Sequence, residues 1–153
     1  MKKNLELFID GACSGNPGEA AVGVVVFEGQ RIVRRISQSI GEATNNIAEY
    51  TALIFALQEA LFLRAKDIRV NTDSELLYYQ LKGEYKVKST NLKLLFYLVN
   101  HLLEGFDSVH VRRIPREKNK EADALATRAI KKGQAKTVAP LFDSREESPS
   151  SAG

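Results

Sequence analysis

The sequence is poor in the residues that form disulfides, bind zinc or cross a membrane. It holds one cysteine, Cys13, two histidines and no tryptophan. A single cysteine cannot form an internal disulfide, and a reducing cytoplasm is the expected compartment. Cysteine and histidine are too few for a zinc cluster, and His101 and His110 form no recognisable Ser–His–Asp arrangement.

Long hydrophobic runs and a strong excess of one charge are absent as well. The longest apolar stretch, 53–63, is interrupted by Gln58 and Glu59 and is shorter than the roughly 20 residues that cross a bilayer, so no membrane partner is expected. The 153 residues carry 27% charged side chains of both signs and a net charge of +3, which favours one globular domain. The slightly basic balance is compatible with a nucleic acid partner and does not establish one.

Hydrophobic periodicity predicts an α/β domain with a mixed sheet, in the order three strands, a helix, a strand, a helical region, a strand and a helix. The segment Glu28-Gly29-Gln30 suits a tight hairpin, so the first three strands are expected to be antiparallel. The predicted domain covers residues 1–133, and the polar, small residues 134–153 predict a disordered C-terminal tail. The predicted strands are Leu5–Ile9, Ala21–Phe27, Arg31–Ser39, Asp67–Thr72 and Ser108–Ile114, and the predicted helices are Asn46–Leu63, Ser74–Leu81, Asn91–Leu103 and Glu121–Lys132.

Two carboxylates follow predicted strands. Asp10 continues an apolar strand and precedes the loop Gly11–Gly18, and an Asx-turn that caps this loop explains it about equally well. Asp73 follows the strand that ends at Thr72, in the place where open α/β sheets bind ligands. Its alternative role is the N-cap of the next helix.

Two further acids lie on predicted helices. Glu49 shares a helix face with small apolar residues, where an ionised group without a partner or a cation is costly. The helix macrodipole explains its position near the helix start, but not its face. Asp123, taken alone, is more typical of a solvated acid in a first turn. If the fold brought these four acids together, they would form an oxygen-rich site for a hard cation, but spacing alone does not establish that they meet.

Four blocks of the sequence resemble the signature blocks of type 1 ribonuclease H, in the family's order and from about Leu5 to Ile130. The resemblance implies a ribonuclease H-like fold, a five-stranded mixed sheet flanked by helices, and it implies that all four acids meet at one metal centre. The blocks are Phe8-Ile9-Asp10-Gly11 with Gly15-Asn16-Pro17-Gly18, Thr44-Asn45-Asn46-Ile47-Ala48-Glu49-Tyr50, Thr72-Asp73-Ser74, and Asn119-Lys120-Glu121-Ala122-Asp123-Ala124-Leu125-Ala126.

The same resemblance implies an activity and a substrate surface. The expected enzyme is an endonuclease that hydrolyses the RNA strand of RNA–DNA hybrids with two magnesium ions, or manganese as a substitute, and leaves 5′-phosphate and 3′-hydroxyl ends. A broader nuclease that also cuts double-stranded RNA and a catalytically silent binding module are the alternatives. A monomer is expected. The residues implied to contact substrate through 2′-hydroxyls and phosphates are Gly11, Ala12, Cys13, Asn16, Thr44, Asn45, Asn46 and Ser74.

The sequence departs from the family pattern in two places. Many members carry a catalytic histidine before the last acid, but residues 112–118 contain none. Arg116 is the candidate for that place, and Glu117 is the second choice. The short connection from Ser74 to Leu103 also lacks the basic handle helix of some relatives, which predicts weaker hybrid binding. The lysines that could take over part of its role are Lys82, Lys86, Lys88 and Lys93.

Overall fold

The computed structural model describes residues 3–135 of the chain, which form five strands, four α-helices and one short 3-10 turn. Among these residues, no helix is long and apolar enough to cross a membrane. The strands are β1 (Asn4–Cys13), β2 (Gly18–Glu28), β3 (Arg31–Ala43), β4 (Asp67–Thr72) and β5 (Ser108–Arg113). The helices are α1 (Asn45–Phe62), α2 (Glu75–Leu81), α3 (Thr90–Leu103) and α4 (Lys120–Ala135), and the 3-10 turn is Arg116–Lys118.

The strands form one sheet in the order β3-β2-β1-β4-β5. The first three strands are antiparallel, β4 is parallel to β1, and β5 is parallel to β4. The predicted mixed sheet with three antiparallel strands is therefore confirmed. Gly29 has φ +63° in the β2–β3 hairpin, a conformation that suits glycine and explains why the turn occurs at this position.

The sheet is covered on both faces. α1 packs on β1 and β2 with α3 against it, and α4 packs on β1, β2 and β3. Gly11 lies against the backbone of α1, whereas Gly23, the partner of Asp10 across the β1–β2 ladder, lies against α4. Gly23 and Asp10 point to the same face because they are paired across the ladder, whereas Gly11, the next residue after Asp10, points to the opposite face. The helices α1 and α4 therefore cover opposite faces of the sheet. This explains the continuous burial of β2 from Ala20 to Val26.

The main hydrophobic core lies between the sheet and α1. Leu7 and Ile9 of β1 are fully buried there, together with Leu53 and Leu57 on one face of α1. Since alternate residues of a strand share a face, the packing of Leu7 and Ile9 directs the Asp10 side chain to the other face, where α4 lies.

Some element boundaries differ from the predicted ones. Gly11–Cys13 were expected to begin a loop, but they continue β1, because they pair with residues 20–22 of β2. The loop is shortened to residues 14–17, and Asp10 lies inside a strand rather than at its end. α4 reaches Ala135, and the rest of the predicted tail lies outside the described residues, so the domain boundary at 133 stays a prediction.

Candidate active site

Three acids from three elements meet at one place in the structure. One carboxylate oxygen each of Asp10, Glu49 and Asp73 lies within 4.8 Å of the other two. The sheet register explains two of them, because Ile9 pairs with Thr72 in the parallel β1–β4 ladder, and Asp10 and Asp73 directly follow these two residues in the chain. The close approach of α1 to Gly11 brings in Glu49.

Asp123 is the fourth predicted acid and lies next to this group. It is the fourth residue of α4, it is exposed, and its carboxyl group is in hydrogen-bonding contact with that of Asp10. α4 is held against the sheet where Gly23 pairs with Asp10. The structure thus brings all four acids together, three in a tight cluster and the fourth beside Asp10.

The cluster is buried and carries excess negative charge. Asp10 and Glu49 are only 6% and 5% exposed. Burial, followed by the charge of Asp73 and the contact with Asp123, raises the pKa of Asp10 to about 8. Burial and the charges of Asp10 and Asp73 raise the pKa of Glu49 well above its usual value. Glu49 Oε2 is also buried without a hydrogen-bond partner among the described residues. Unpaired buried carboxylates fit a divalent cation, which would supply the missing positive charge.

The helix that follows Asp73 is capped by its neighbour. Ser74 Oγ accepts a hydrogen bond from the Leu77 amide at 3.1 Å and is the N-cap of α2. The alternative interpretation of Asp73 as the cap is therefore wrong, and its carboxylate is available for the cluster. Ser74, a predicted substrate contact, adjoins the site with its hydroxyl already used as an acceptor.

Most of the other predicted substrate residues meet where the loop after β1 contacts the start of α1. Asn16 Oδ1 accepts a hydrogen bond from the backbone amide of Asn45 at 3.0 Å. Thr44 is the N-cap of α1, and its Oγ1 accepts a hydrogen bond from the backbone amide of Ile47 at 3.2 Å. Cys13 donates its thiol to the Ala43 carbonyl, and burial and the charge of Glu49 raise the thiol pKa, which disfavours a nucleophilic thiolate.

A cavity of about 450 Å³ adjoins Asp73 on the side of β5 and is lined by two arginines, Arg113 and Arg116. Arg116 therefore lies beside Asp73, whereas Glu117 lines a different cavity together with Phe8. Arg113 was missed by the sequence analysis. It is the register partner of Thr72, so the strand-end argument that singled out Asp73 also applies to it.

Asn119 is a second residue that the sequence analysis did not assign. Its side chain is 1% exposed, and its Nδ2 donates to the Ile9 carbonyl and to Asp73 Oδ2, both at 2.9 Å. Its position at the start of α4 suggested only a helix boundary. Nothing in the one-dimensional pattern shows that its amide turns inward.

The comparisons with known proteins agree with this fold and site. A family model described as reverse transcriptase-like matches residues 8–129. A ribonuclease HI of Halobacterium salinarum is 43% identical over 124 residues, which cover 80% of this chain and 62% of that protein. A bifunctional protein of Mycobacterium tuberculosis is 36% identical over 149 residues, which cover 94% of this chain and 41% of that protein. The chain thus spans about two fifths to three fifths of the length of these curated relatives.

Solved structures give the same result. The RNase H1 of Halobacterium salinarum matches with a TM-score of 0.82 at 41% identity, covering 84% of this chain and 98% of that one. LC11-RNase H1, solved in complex with an RNA/DNA hybrid, matches with a TM-score of 0.80 at 40% identity, covering 85% of this chain and 99% of that one. With these matches, the five-stranded mixed sheet between helices and the carboxylates clustered beside its central strands place the chain in the ribonuclease H-like class of α/β proteins.

This chain belongs to the type 1 ribonuclease H family. The resemblance carried by the four sequence blocks is therefore confirmed, and so is the fold that it implied. The subgroup without a basic handle and without the catalytic histidine stays a prediction.

Proposed function

We propose that this chain is an endonuclease that hydrolyses the RNA strand of RNA–DNA hybrids with divalent cations as cofactors. The observation that carries the proposal is the meeting of Asp10, Glu49 and Asp73, with a buried Glu49 oxygen that no described residue satisfies. Support also comes from the similarity to LC11-RNase H1, which was solved with an RNA/DNA hybrid.

The cofactors proposed are two magnesium ions, with manganese as a substitute. Asp10, Glu49, Asp73 and Asp123 would hold them, and oxygen ligands of this kind suit both metals. Bound ions would supply the charge that activates a water and stabilises the leaving 3′ oxygen, so that the products carry 5′-phosphate and 3′-hydroxyl ends. The raised pKa values of Asp10 and Glu49 imply that metal binding releases protons from these residues.

The proposed substrate surface continues from the acids along the loop after β1 and the start of α1. Asn16 and Asn45 are joined by a hydrogen bond and are exposed, as is Asn46. Their amides suit the 2′-hydroxyls and phosphates in the minor groove of an A-form duplex, which carry no base information. Cleavage should therefore depend little on base sequence.

Arg116 is the residue proposed for the place of the missing histidine. It shares the cavity beside Asp73 with Arg113, whose guanidinium group lies 3.7 Å from Glu75 Oε2. An arginine keeps its proton at neutral pH and cannot act as a general base. Its contribution would be electrostatic, through stabilisation of negative charge on the phosphate during cleavage or product release.

The decisive assay uses a hybrid with a labelled RNA strand, incubated with magnesium, manganese or a chelator. We expect cutting of the RNA strand with either metal and none with the chelator. Asp73→Asn, purified in parallel, should show no cutting and thereby excludes a contaminating nuclease. Intact hybrid under every metal condition would contradict the proposal and favour the silent binding module.

Double-stranded RNA tests the broader alternative in the same assay. It shares the A-form minor groove and its 2′-hydroxyls with the hybrid. Cutting of both substrates at similar rates would favour the broader nuclease, whereas cutting of the hybrid alone supports the proposed specificity. The monomeric state and the cytoplasmic compartment stay predictions.

Four lysines are proposed to contact phosphates in place of a basic handle. Lys82, Lys86, Lys88 and Lys93 are all exposed, and Lys86 and Lys93 line one surface cavity together with two tyrosines. Each phosphate contact should contribute about 0.9 to the magnitude of the slope when the logarithm of the binding constant is plotted against the logarithm of the salt concentration. Replacing all four lysines with glutamine should weaken hybrid binding and reduce this slope, as measured by fluorescence anisotropy at several salt concentrations. An unchanged slope would show that they are only a solvated surface.

A further inference from the structure

We propose that Asn119 is a positioning residue that holds the Asp73 carboxylate in the orientation needed to bind metal. This inference rests on the proposed function, because it concerns how the same acidic cluster is kept ready for a cation. It assigns a role to a side chain outside the three carboxylates of the cluster, Asp10, Glu49 and Asp73.

The Asn119 side chain points toward the acidic cluster and not toward the helix that it precedes. Asn119 directly precedes α4, at a position where an asparagine oxygen commonly accepts a hydrogen bond from the first turn of the helix. Here the side chain turns inward instead, and Nδ2 donates to the Ile9 carbonyl and to Asp73 Oδ2 at 2.9 Å each. The Ile9 carbonyl belongs to a central strand, so the amide is anchored on rigid backbone while it holds one oxygen of Asp73.

The oxygen atom of the same amide shows that the orientation of the side chain is fixed. Asn119 Oδ1 is buried and has no hydrogen-bond partner among the described residues. Turning the amide over would place this oxygen against two acceptors, the Ile9 carbonyl and Asp73 Oδ2, so the observed orientation is the only one with two good bonds. The amide is therefore fixed through Nδ2 alone, because Oδ1 makes no hydrogen bond with the described residues.

Asn71 shows what a purely structural amide looks like in this sheet. Its Nδ2 donates to the Leu7 carbonyl and to Glu6 Oε2, both at 3.1 Å, and its Oδ1 accepts from Arg112 Nε at 2.9 Å. Both asparagines are therefore buried and both bind a carbonyl of β1. Asn71 is fully satisfied and lies away from the acidic cluster, whereas Asn119 leaves one atom unpaired and contacts a carboxylate of the cluster.

Asn119 connects three elements of the fold. Its side chain joins Asp73, at the end of β4, to the residue before Asp10 in β1. Its backbone carbonyl accepts from the Asp123 amide at 3.1 Å in the first turn of α4. A single residue thus ties together the segments that carry three of the four acids, as expected for a residue that sets the geometry of ligands.

The test compares Asn119→Leu with Asn71→Leu, which replaces a buried amide of the same size outside the cluster. Thermal unfolding is followed in chelator and at increasing magnesium concentration, without substrate, so that metal binding is measured independently of activity. For Asn119→Leu we expect the magnesium concentration at the midpoint of the stabilisation to rise by about 10- to 100-fold. For Asn71→Leu we expect a lower unfolding temperature in chelator and an unchanged magnesium midpoint.

Cleavage kinetics add a second measurement. At limiting magnesium, Asn119→Leu should lower kcat and leave the KM for the hybrid unchanged, and high magnesium should restore part of kcat. If circular dichroism shows that Asn119→Leu does not fold, Asn119→Ser replaces it, because its hydroxyl is polar but too short to bridge Ile9 and Asp73. The same rise in the magnesium midpoint is expected for this variant.

The outcomes separate the inference from the proposed function. If the wild type binds metal and cuts the hybrid while the folded Asn119 variant keeps the wild-type magnesium midpoint, the positioning role is wrong and the proposed function stands. If the wild type shows neither metal-dependent stabilisation nor cleavage, both proposals are overturned. A raised midpoint in the Asn119 variant with an unchanged midpoint in Asn71→Leu supports the positioning role.

Discussion

Asp10→Asn is expected to lower cleavage of the hybrid by at least about 10³-fold, or roughly 4 kcal/mol of transition-state stabilisation, while it makes the metal-free protein more stable above pH 8. The loss of activity follows from the removal of a charged ligand at the centre of the cluster, where Asp10 contacts both Glu49 and Asp123. The gain in stability follows from the same burial that raises the pKa of Asp10.

The direction of the pH effect is set by the two states of Asp10. Its pKa is about 8 in the folded protein, against about 4 in an unfolded chain. The folded protein therefore keeps a proton there that the unfolded chain loses between these values. The contribution of Asp10 to stability is complete below about pH 4 and is lost as the pH rises through about 8. Asparagine does not titrate and avoids this loss.

Thermal unfolding in chelator between pH 5 and pH 9 measures the effect. The unfolding temperature of Asp10→Asn should rise relative to that of the wild type as the pH increases, and it should be at least about 5 °C higher at pH 9. Asp67→Asn is the matched control, because Asp67 lies at the start of β4 and binds Ser108 rather than the cluster. It should leave cleavage unchanged. Parallel pH curves for Asp10→Asn and the wild type would contradict a raised pKa at Asp10.

Gly23→Ala is expected to lower the free energy of unfolding by about 2–3 kcal/mol and to reduce cleavage as well. A Cβ atom at position 23 would overlap the Ala122 carbonyl oxygen and lie 2.8 Å from the Ala126 backbone nitrogen. These are backbone atoms of α4, so the helix itself must move away from the sheet. That movement carries Asp123 away from Asp10 and pulls on the Asn119 bonds.

Gly105→Ala provides the control for this substitution. The nearest atom to a Cβ at position 105 is Leu61 Cδ2 at 2.6 Å, the end of a flexible side chain that can turn aside. Differential scanning calorimetry should show an unfolding temperature roughly 5–10 °C lower for Gly23→Ala and a smaller change for Gly105→Ala. Equal changes would show that α4 tolerates a side chain beneath it.

The architecture could be predicted from the sequence because each element has a strong local pattern. The valine-rich β2, the long apolar α1 and the hairpin at Gly29 have signals within a few residues, and all three are in the expected places. The boundaries of the elements do not follow from local pattern, because strand pairing decides them. Gly11–Cys13 have a composition typical of a turn, yet they are β-structure since β2 provides partners for them.

The candidate site could be predicted only in part. Positions after strands and on helices singled out Asp10, Glu49, Asp73 and Asp123. The convergence of Asp10 with Asp73 depends on the parallel β1–β4 register, which is a tertiary property. Ser74, rather than Asp73, caps α2, and this local competition could not be resolved from the sequence alone. Asn119 and Arg113 were missed for the same reason, since each acts across a sequence separation of 40 residues or more.

The central position of β1 gives the four acids unequal freedom to move. β1 is bonded to β2 on one side and to β4 on the other, so the backbone around Asp10 can open only if the sheet itself is broken. Asp73 is held by the Asn119 side chain at 2.9 Å, whereas Glu49 and Asp123 lie near the starts of their helices. Asp10 and Asp73 therefore form the fixed half of the cluster, around which Glu49 and Asp123 could adjust when the charge between the acids changes.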